Sequence, residues 1–140
     1  MSASVSILKT SPFKRHVLII DDNIDGARML ATLVRTLGHD ADYCINGYAA
    51  LELVAGVSPD LVFLDLALPD INGWAVARAL RRKPHLEKVR IIAMTGHYGA
   101  DERQRSLDAG CEAHLVKPID PAVILRLLAE DDAVRGTQVA

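Results

Sequence analysis

Five side chains stand where they could do chemistry together. Each follows an apolar run. Asp21 and Asp22 end His16-Val17-Leu18-Ile19-Ile20; Asp65 ends Leu61-Val62-Phe63-Leu64; Thr95 follows Val89 to Met94; Lys117 follows Ala113 to Val116. A short, unbroken, β-branched apolar run bounded by turn formers reads as a strand buried on both faces, the kind found in a parallel sheet. A charge at the mouth of such a strand costs desolvation unless it is compensated. Singly, each of these polar residues reads as a loop or cap residue. Four strand exits together read as a site.

Three carboxylates gathered in one cleft repel one another by about 1 to 4 kcal/mol per close pair, according to how water screens them. They call for a cation. A set of oxygen ligands without His or Cys suits a hard ion, and a shallow, wet site suits Mg²⁺ better than Ca²⁺. A carboxylate beside Mg²⁺, flanked by a hydroxyl and an ammonium, has the parts to accept a phosphoryl group. Asp65 would attack in line, with Lys117 and the metal neutralising the equatorial oxygens and Thr95 donating a hydrogen bond. The sequence contains neither a Walker-type loop nor Gly-x-Gly-x-x-Gly, so no nucleotide cofactor is expected and the phosphoryl donor must come from elsewhere.

The elements that must hold these residues alternate strictly. Strands are expected at His16–Ile20, Ala41–Cys44, Leu61–Asp65, Val89–Met94 and Ala113–Val116. Helices are expected at about Ile24–Leu37, Gly47–Ala55, from Gly73 to before Pro84, Ala100–Ala109 and Asp120–Glu130. In the first helix Ala27, Leu30, Val34 and Leu37 form an apolar stripe, with Met29 and Leu33 beside it. That face is wider than core packing requires and is a candidate docking surface for a helical partner. Leu107 is the only large apolar residue of the fourth helix, which is expected to be weakly anchored. Arg81-Arg82-Lys83 reads as a cationic helix C-terminus. Five strand and helix units give an α/β, doubly wound, five-stranded parallel sheet with helices on both faces. In such sheets ligands bind at the carboxyl ends of the strands.

With 140 residues, half of them apolar, and a net charge of −2, the chain fits one compact domain. Residues 1–14 read as a flexible leader, 15–130 as the folded domain and 131–140 as a flexible tail. No basic run argues for nucleic acid, and no stretch has the length to span a membrane or the pattern of a secretory signal, so a cytoplasmic protein is expected. Cys44 and Cys111 stand alone and are expected as reduced thiols that bind no metal.

The motifs Val-Leu-Ile-Ile-Asp21-Asp22-Asn23, Leu-Val-Phe-Leu-Asp65-Leu-Ala-Leu-Pro69-Asp-Ile-Asn-Gly73, Ile-Ile-Ala-Met-Thr95-Gly and Ala-His114-Leu-Val-Lys117-Pro118 resemble the receiver domain of two-component response regulators, over about Arg15 to Glu130. From Asp101 to Lys117 the chain is especially similar to receivers attached to hybrid sensor histidine kinases. The resemblance implies a flavodoxin-like fold with sheet order 2-1-3-4-5. It implies phosphorylation of Asp65 by the phosphohistidine of a sensor histidine kinase or histidine phosphotransfer protein. It places Mg²⁺ on Asp22, Asp65 and the backbone carbonyl of Ala67, with Asp21 acting through water. It makes Lys117-Pro118 a candidate cis peptide. It also puts His114 where receivers carry an aromatic switch residue that follows Thr95, so that the surface around the fourth helix and fifth strand would change on phosphorylation.

Such a domain is a phosphoacceptor in a phosphorelay, without a DNA-binding output and not a multiple-turnover enzyme. Two departures bear on its chemistry. Ala67 lacks a polar side chain to steer water, and Gly96-His97 replaces the more usual Ala after Thr95. A Mg²⁺-dependent phosphohydrolase using Asp65 is the rival enzyme reading, and it lacks at Ala67 the second acid for proton transfer. An inert interaction module is the other rival.

Overall fold

The computed structural model describes residues 14–96 and 99–129. His97, the tail at 131–140 and all of the expected leader except Lys14 lie outside the described residues. Five strands, β1 (His16–Ile20), β2 (Asp40–Cys44), β3 (Leu61–Asp65), β4 (Arg90–Thr95) and β5 (Ala113–Val116), form one sheet of order β2-β1-β3-β4-β5. All neighbouring pairs are parallel. The helices are α1 (Ile24–Thr36), α2 (Gly47–Leu53), α3 (Gly73–Arg81), α4 (Ala100–Asp108) and α5 (Pro121–Ala129), with a 3₁₀ turn at Pro84–Leu86 between α3 and β4.

The helices after β1, β2 and β3 start on asparagines. The side chains of Asn23, Asn46 and Asn72 each accept from a backbone N–H of the first turn, Gly26, Ala49 and Ala75 respectively. Capping of this kind satisfies donors that a helix start cannot pair internally. At the other end of α1, Gly38 takes a positive φ of 96°, a conformation that costs glycine nothing.

The central strands are buried on both faces, and alternate residues feed separate layers. Leu18, Ile20, Val62, Leu64, Ile91 and Ala93 pack with Ala50 of α2, with Val54 just after it, and with Val76, Ala77 and Leu80 of α3. Val17, Ile19, Leu61, Phe63, Ile92 and Met94 pack with Ala27, Ala31 and Val34 of α1 and Ile124, Leu127 and Leu128 of α5. Each fully buried Leu, Ile or Phe contributes about 1.5 to 3 kcal/mol from area removed from water.

Three helices show detail beyond the sequence pattern. The buried stripe of α1 is Ala27, Ala31 and Val34, while Leu30 is half-buried and Met29 is 73% exposed. Leu107, the one large apolar residue of α4, is 45% exposed, and the residue turned inward is Ser106. Ser106 is tolerable there because its hydroxyl accepts the indole N–H of Trp74 at 3.0 Å, while the Arg105 guanidinium lies 3.9 Å from the centre of the same ring. Arg81 is more than a cation at a helix end. It donates to the carbonyl of Gly110, from Nη2 at 2.8 Å, and so ties α3 to the end of α4.

Candidate functional site

The parallel sheet brings the ends of β1, β3, β4 and β5 to one edge. Asp21 directly follows β1 and Asp65 closes β3, and these are neighbouring strands. Both carboxylates are buried, whereas Asp22 is exposed. Ligand oxygens of Asp21, Asp22 and Asp65 lie within 4.8 Å of one another, the one such group among the described residues. Lys117, directly after β5, reaches across the mouth of β4. Its Nζ lies 2.8 Å from Asp21 Oδ2 and 3.0 Å from Asp65 Oδ2.

Backbone amides orient the acids. Asn23 N–H donates to Asp21 Oδ1 at 3.0 Å, and Ala67 N–H donates to Asp65 Oδ1 at 2.9 Å. Gly73 allows the next helix to start against the acceptor strand, since a Cβ there would fall 2.6 Å from Leu66 Cα and 2.8 Å from the Asp65 carbonyl oxygen. Thr95 is buried at the last position of β4, and its carbonyl accepts from Lys117 N–H at 2.7 Å, which locks the exits of β4 and β5 together. The Lys117-Pro118 peptide is cis.

Burial pushes the Asp21 carboxyl above its ordinary value, against the lowering effect of the Lys117 and Asn23 hydrogen bonds and with a further upward push from Asp65. Burial alone would lower Lys117, yet its bonds to Asp21 and Asp65 outweigh this and hold the ammonium charged above its usual range. The pocket therefore carries more negative than positive charge. A divalent ion fits it on the donor set, since all the candidate ligands are hard oxygens and one of them is open to water.

His114 is half-buried on β5, opposite Ala93 of β4. Burial lowers its pKa, with Glu102 opposing and Arg103 reinforcing that shift. Ala67 is exposed in the loop after β3. Beside the acidic cluster runs an apolar groove of about 680 Å³ between α1 and α5, lined by Met29, Leu30, Leu33, Ile119, Pro121 and Ile124 and ending at Asp21 and Lys117. Both cysteines are free; burial pushes the Cys111 thiol up to about 12. No helix among the described residues is long and apolar enough to cross a membrane.

The sequence profile described as the response regulator receiver domain matches residues 17–129. The chain belongs to this family. The receiver domain is 28% identical over 112 residues to the signal transduction histidine-protein kinase BarA of Escherichia coli (strain K12), a match covering 80% of this chain and 12% of BarA. It is 33% identical over 118 residues to hybrid signal transduction histidine kinase L of Dictyostelium discoideum, covering 80% of this chain and 7% of that protein. The chain thus spans a small fraction of these kinases. Against the polar-differentiation response regulator DivK of Brucella anthropi, identity is 30% over 105 residues, covering 75% of this chain and 85% of DivK. In fold it is similar to the chemotaxis response regulator CheY4 of Vibrio cholerae, with a TM-score of 0.78 at 23% identity over 83% of this chain and 97% of that one. The expected family, sheet order and layering are all present.

Sequence reasoning placed the acids, Thr95 and Lys117 from their strand exits. It did not give Asn23 its role in orienting Asp21, and it read Asp70 only as part of a turn.

Proposed function

We propose that this receiver domain, spanning residues 15–130 with a leader before it and a tail after it, accepts a phosphoryl group on Asp65 from the phosphohistidine of a sensor histidine kinase or phosphotransfer protein. The observation that carries the reading is the contact of Lys117 Nζ with both Asp21 and Asp65 inside a cluster of three carboxylates. Asp22, Asp65 and the Ala67 carbonyl would hold Mg²⁺, with Asp21 acting through water. When bound, the ion would supply positive charge against the oxygens of the incoming phosphoryl group.

The chain's own residues do the rest. An Asp65 carboxylate oxygen attacks phosphorus, and an aspartyl phosphate forms. The P–N bond of the donor breaks, and its electron pair stays on the departing imidazole. The Ala67 N–H fixes the carboxylate's orientation for that attack. Lys117 neutralises charge that develops on the equatorial oxygens, and the Thr95 hydroxyl donates to one of them. The groove between α1 and α5, with Ile24 47% and Met29 73% exposed nearby, suits the apolar face of a donor's helical bundle and opens onto the acceptor.

The switch follows from the same site. Thr95 moves toward the phosphoryl group, His114 follows, and the surface of α4 and β5 is remade for a downstream protein in the cytoplasm. The domain signals by this change or passes its phosphoryl group onward, and turns over no small-molecule substrate.

Mass spectrometry after treatment with acetyl phosphate and Mg²⁺ tests the assignment. One phosphoryl adduct on Asp65 is expected, absent in Asp65→Asn and absent without divalent cation. An adduct on another residue would overturn it, and multiple turnover of a small phosphoester would point instead to a hydrolase. Hydrogen exchange tests the switch, since unchanged protection over residues 99–117 with a phosphoryl mimic would count against it.

A further inference from the structure

The loop that leaves the acceptor strand is pinned to a helix start far away in sequence. Asp70 Oδ1 accepts from the backbone N–H of Gly47 at 2.9 Å, and Asp70 Oδ2 accepts from that of Tyr48 at 2.9 Å. These are the first two amides of α2, which the helix cannot pair internally. The third, of Ala49, already has a local acceptor in Asn46. Helices α1 and α3 start on their local asparagines, so the carboxylate delivered to α2 exceeds what capping elsewhere in this fold requires.

Ile71 closes the same junction. A Cβ on Gly47 would lie 2.2 Å from Ile71 Cγ2 and 2.9 Å from Val76 Cγ2, so the bare Cα of Gly47 is what lets the loop seat on the helix. Asp70 itself is exposed, and no burial accounts for its two-pronged grip. Its hydrogen bonds from the Tyr48, Gly47 and Ile71 amides outweigh a desolvation that would raise its pKa, and keep the carboxyl below the ordinary range.

At its other end the loop is fastened to the site. Leu66 N–H donates to the Met94 carbonyl at 3.0 Å, and Gly73 N–H donates to the Leu66 carbonyl at 3.1 Å. Ala67 N–H holds Asp65 Oδ1, and only Leu68 and Pro69 separate Ala67 from Asp70. Freed from α2, the segment between these two ties would carry the Ala67 carbonyl without a fixed direction.

We propose that Asp70 is a positioning residue for the phosphoacceptor site: by gripping the Gly47 and Tyr48 amides it fixes the loop that presents the Ala67 carbonyl and the Asp65 carboxylate to a divalent cation. This rests on the reading of Asp65 and Ala67 given above. Groups that orient metal ligands from behind set affinity as well as geometry.

The test uses the full chain as wild type, Asp70→Ala and Asp70→Asn. Calorimetric Mg²⁺ titration and initial rates with acetyl phosphate across Mg²⁺ concentrations are read beside urea stability. In Asp70→Ala the Mg²⁺ half-saturation rises about tenfold and the rate recovers as Mg²⁺ is raised, a shift that lost stability alone does not produce. Asp70→Asn, which keeps one carbonyl acceptor and the loop's shape, falls between and carries the comparison if Asp70→Ala does not fold. Unchanged half-saturation in both variants overturns the proposal and leaves Asp70 a helix cap. If the wild type binds Mg²⁺ but gains no phosphoryl group, the phosphoacceptor reading falls while the titration still decides the role of Asp70.

Discussion

Lys117 Nζ stands 3.0 Å from Asp65 Oδ2, although 52 residues separate the two in sequence. The same ammonium holds Asp21, so its loss leaves two buried carboxylates facing each other without a fixed counter-charge. Lys117→Ala is therefore expected to keep the fold and lower the rate of phosphorylation by acetyl phosphate by about 100-fold, the scale of losing one preorganised charge donor. Initial rates by mass spectrometry measure this. A variant within a few fold of wild type would remove Lys117 from the chemistry. Because the pKa of Lys117 is raised, its contribution to stability is complete below the ordinary value of 10.5 and is lost only as pH rises through the higher folded value.

Asp21 behaves in the opposite part of the pH scale. Its folded pKa is raised from 3.8, so the fold binds a proton there more tightly than the unfolded chain does, and that stabilisation is lost as pH rises through the folded value. Asp21→Asn carries no such loss. Without divalent cation, the variant's advantage over wild type should open as pH rises past 3.8 and stay level at neutral pH. Urea unfolding from acid to neutral pH reads the difference, and a variant less stable than wild type at neutral pH would contradict it. Added Mg²⁺ should stabilise the wild type and stabilise Asp21→Asn less, because the variant keeps Asp22, Asp65 and the Ala67 carbonyl and loses only the acid that acts through water.

Away from the site, the buried cation Arg90 at the start of β4 is held by Glu112, with Nε 3.0 Å from Oε1, and donates from Nη1 to the Leu127 carbonyl at 3.2 Å. Glu112→Ala would strand that charge, at a cost of about 3 to 5 kcal/mol in urea unfolding. Replacing both residues, as Arg90→Met with Glu112→Leu, should recover much of the loss. If the single variant is neutral, water reaches Arg90 more easily than its burial implies.

The clasp between α3 and α4 is also open to test. Trp74→Phe removes the bond to Ser106 and weakens the stacking of Arg105, for a combined loss of about 1 to 2 kcal/mol. Ser106→Ala leaves the indole N–H without that acceptor and should lose a similar amount. A double-mutant cycle with coupling near zero would show that the two residues are merely adjacent.

Much of this was legible in the sequence because the signals were local. Four apolar runs ending in polar residues predicted the strands, and parallel pairing then left those residues no edge but one. What escaped notice depended on partners distant in sequence. Ser106 carries no apolar signal, and its inward position depends on Trp74, a partner for its hydroxyl that is remote in the chain. Ala31 is absent from the expected stripe because the larger Leu30 beside it fits the same spacing, yet the small residue is the one buried against the sheet. Nothing local marks Arg90 as a buried cation, because neither Glu112 nor the Leu127 carbonyl is near it in the chain. Asp70 sat in an obvious turn, and nothing in Pro69-Asp70-Ile71-Asn72 points to Gly47.

The strict alternation of β1, β3 and β4 means that no core side chain belongs to both layers. Substitutions beneath α1 and α5, where a donor would dock, and substitutions beneath α2 and α3 should then add in free energy with little coupling. A lineage could alter one side of the sheet while the other side keeps its own pace of change.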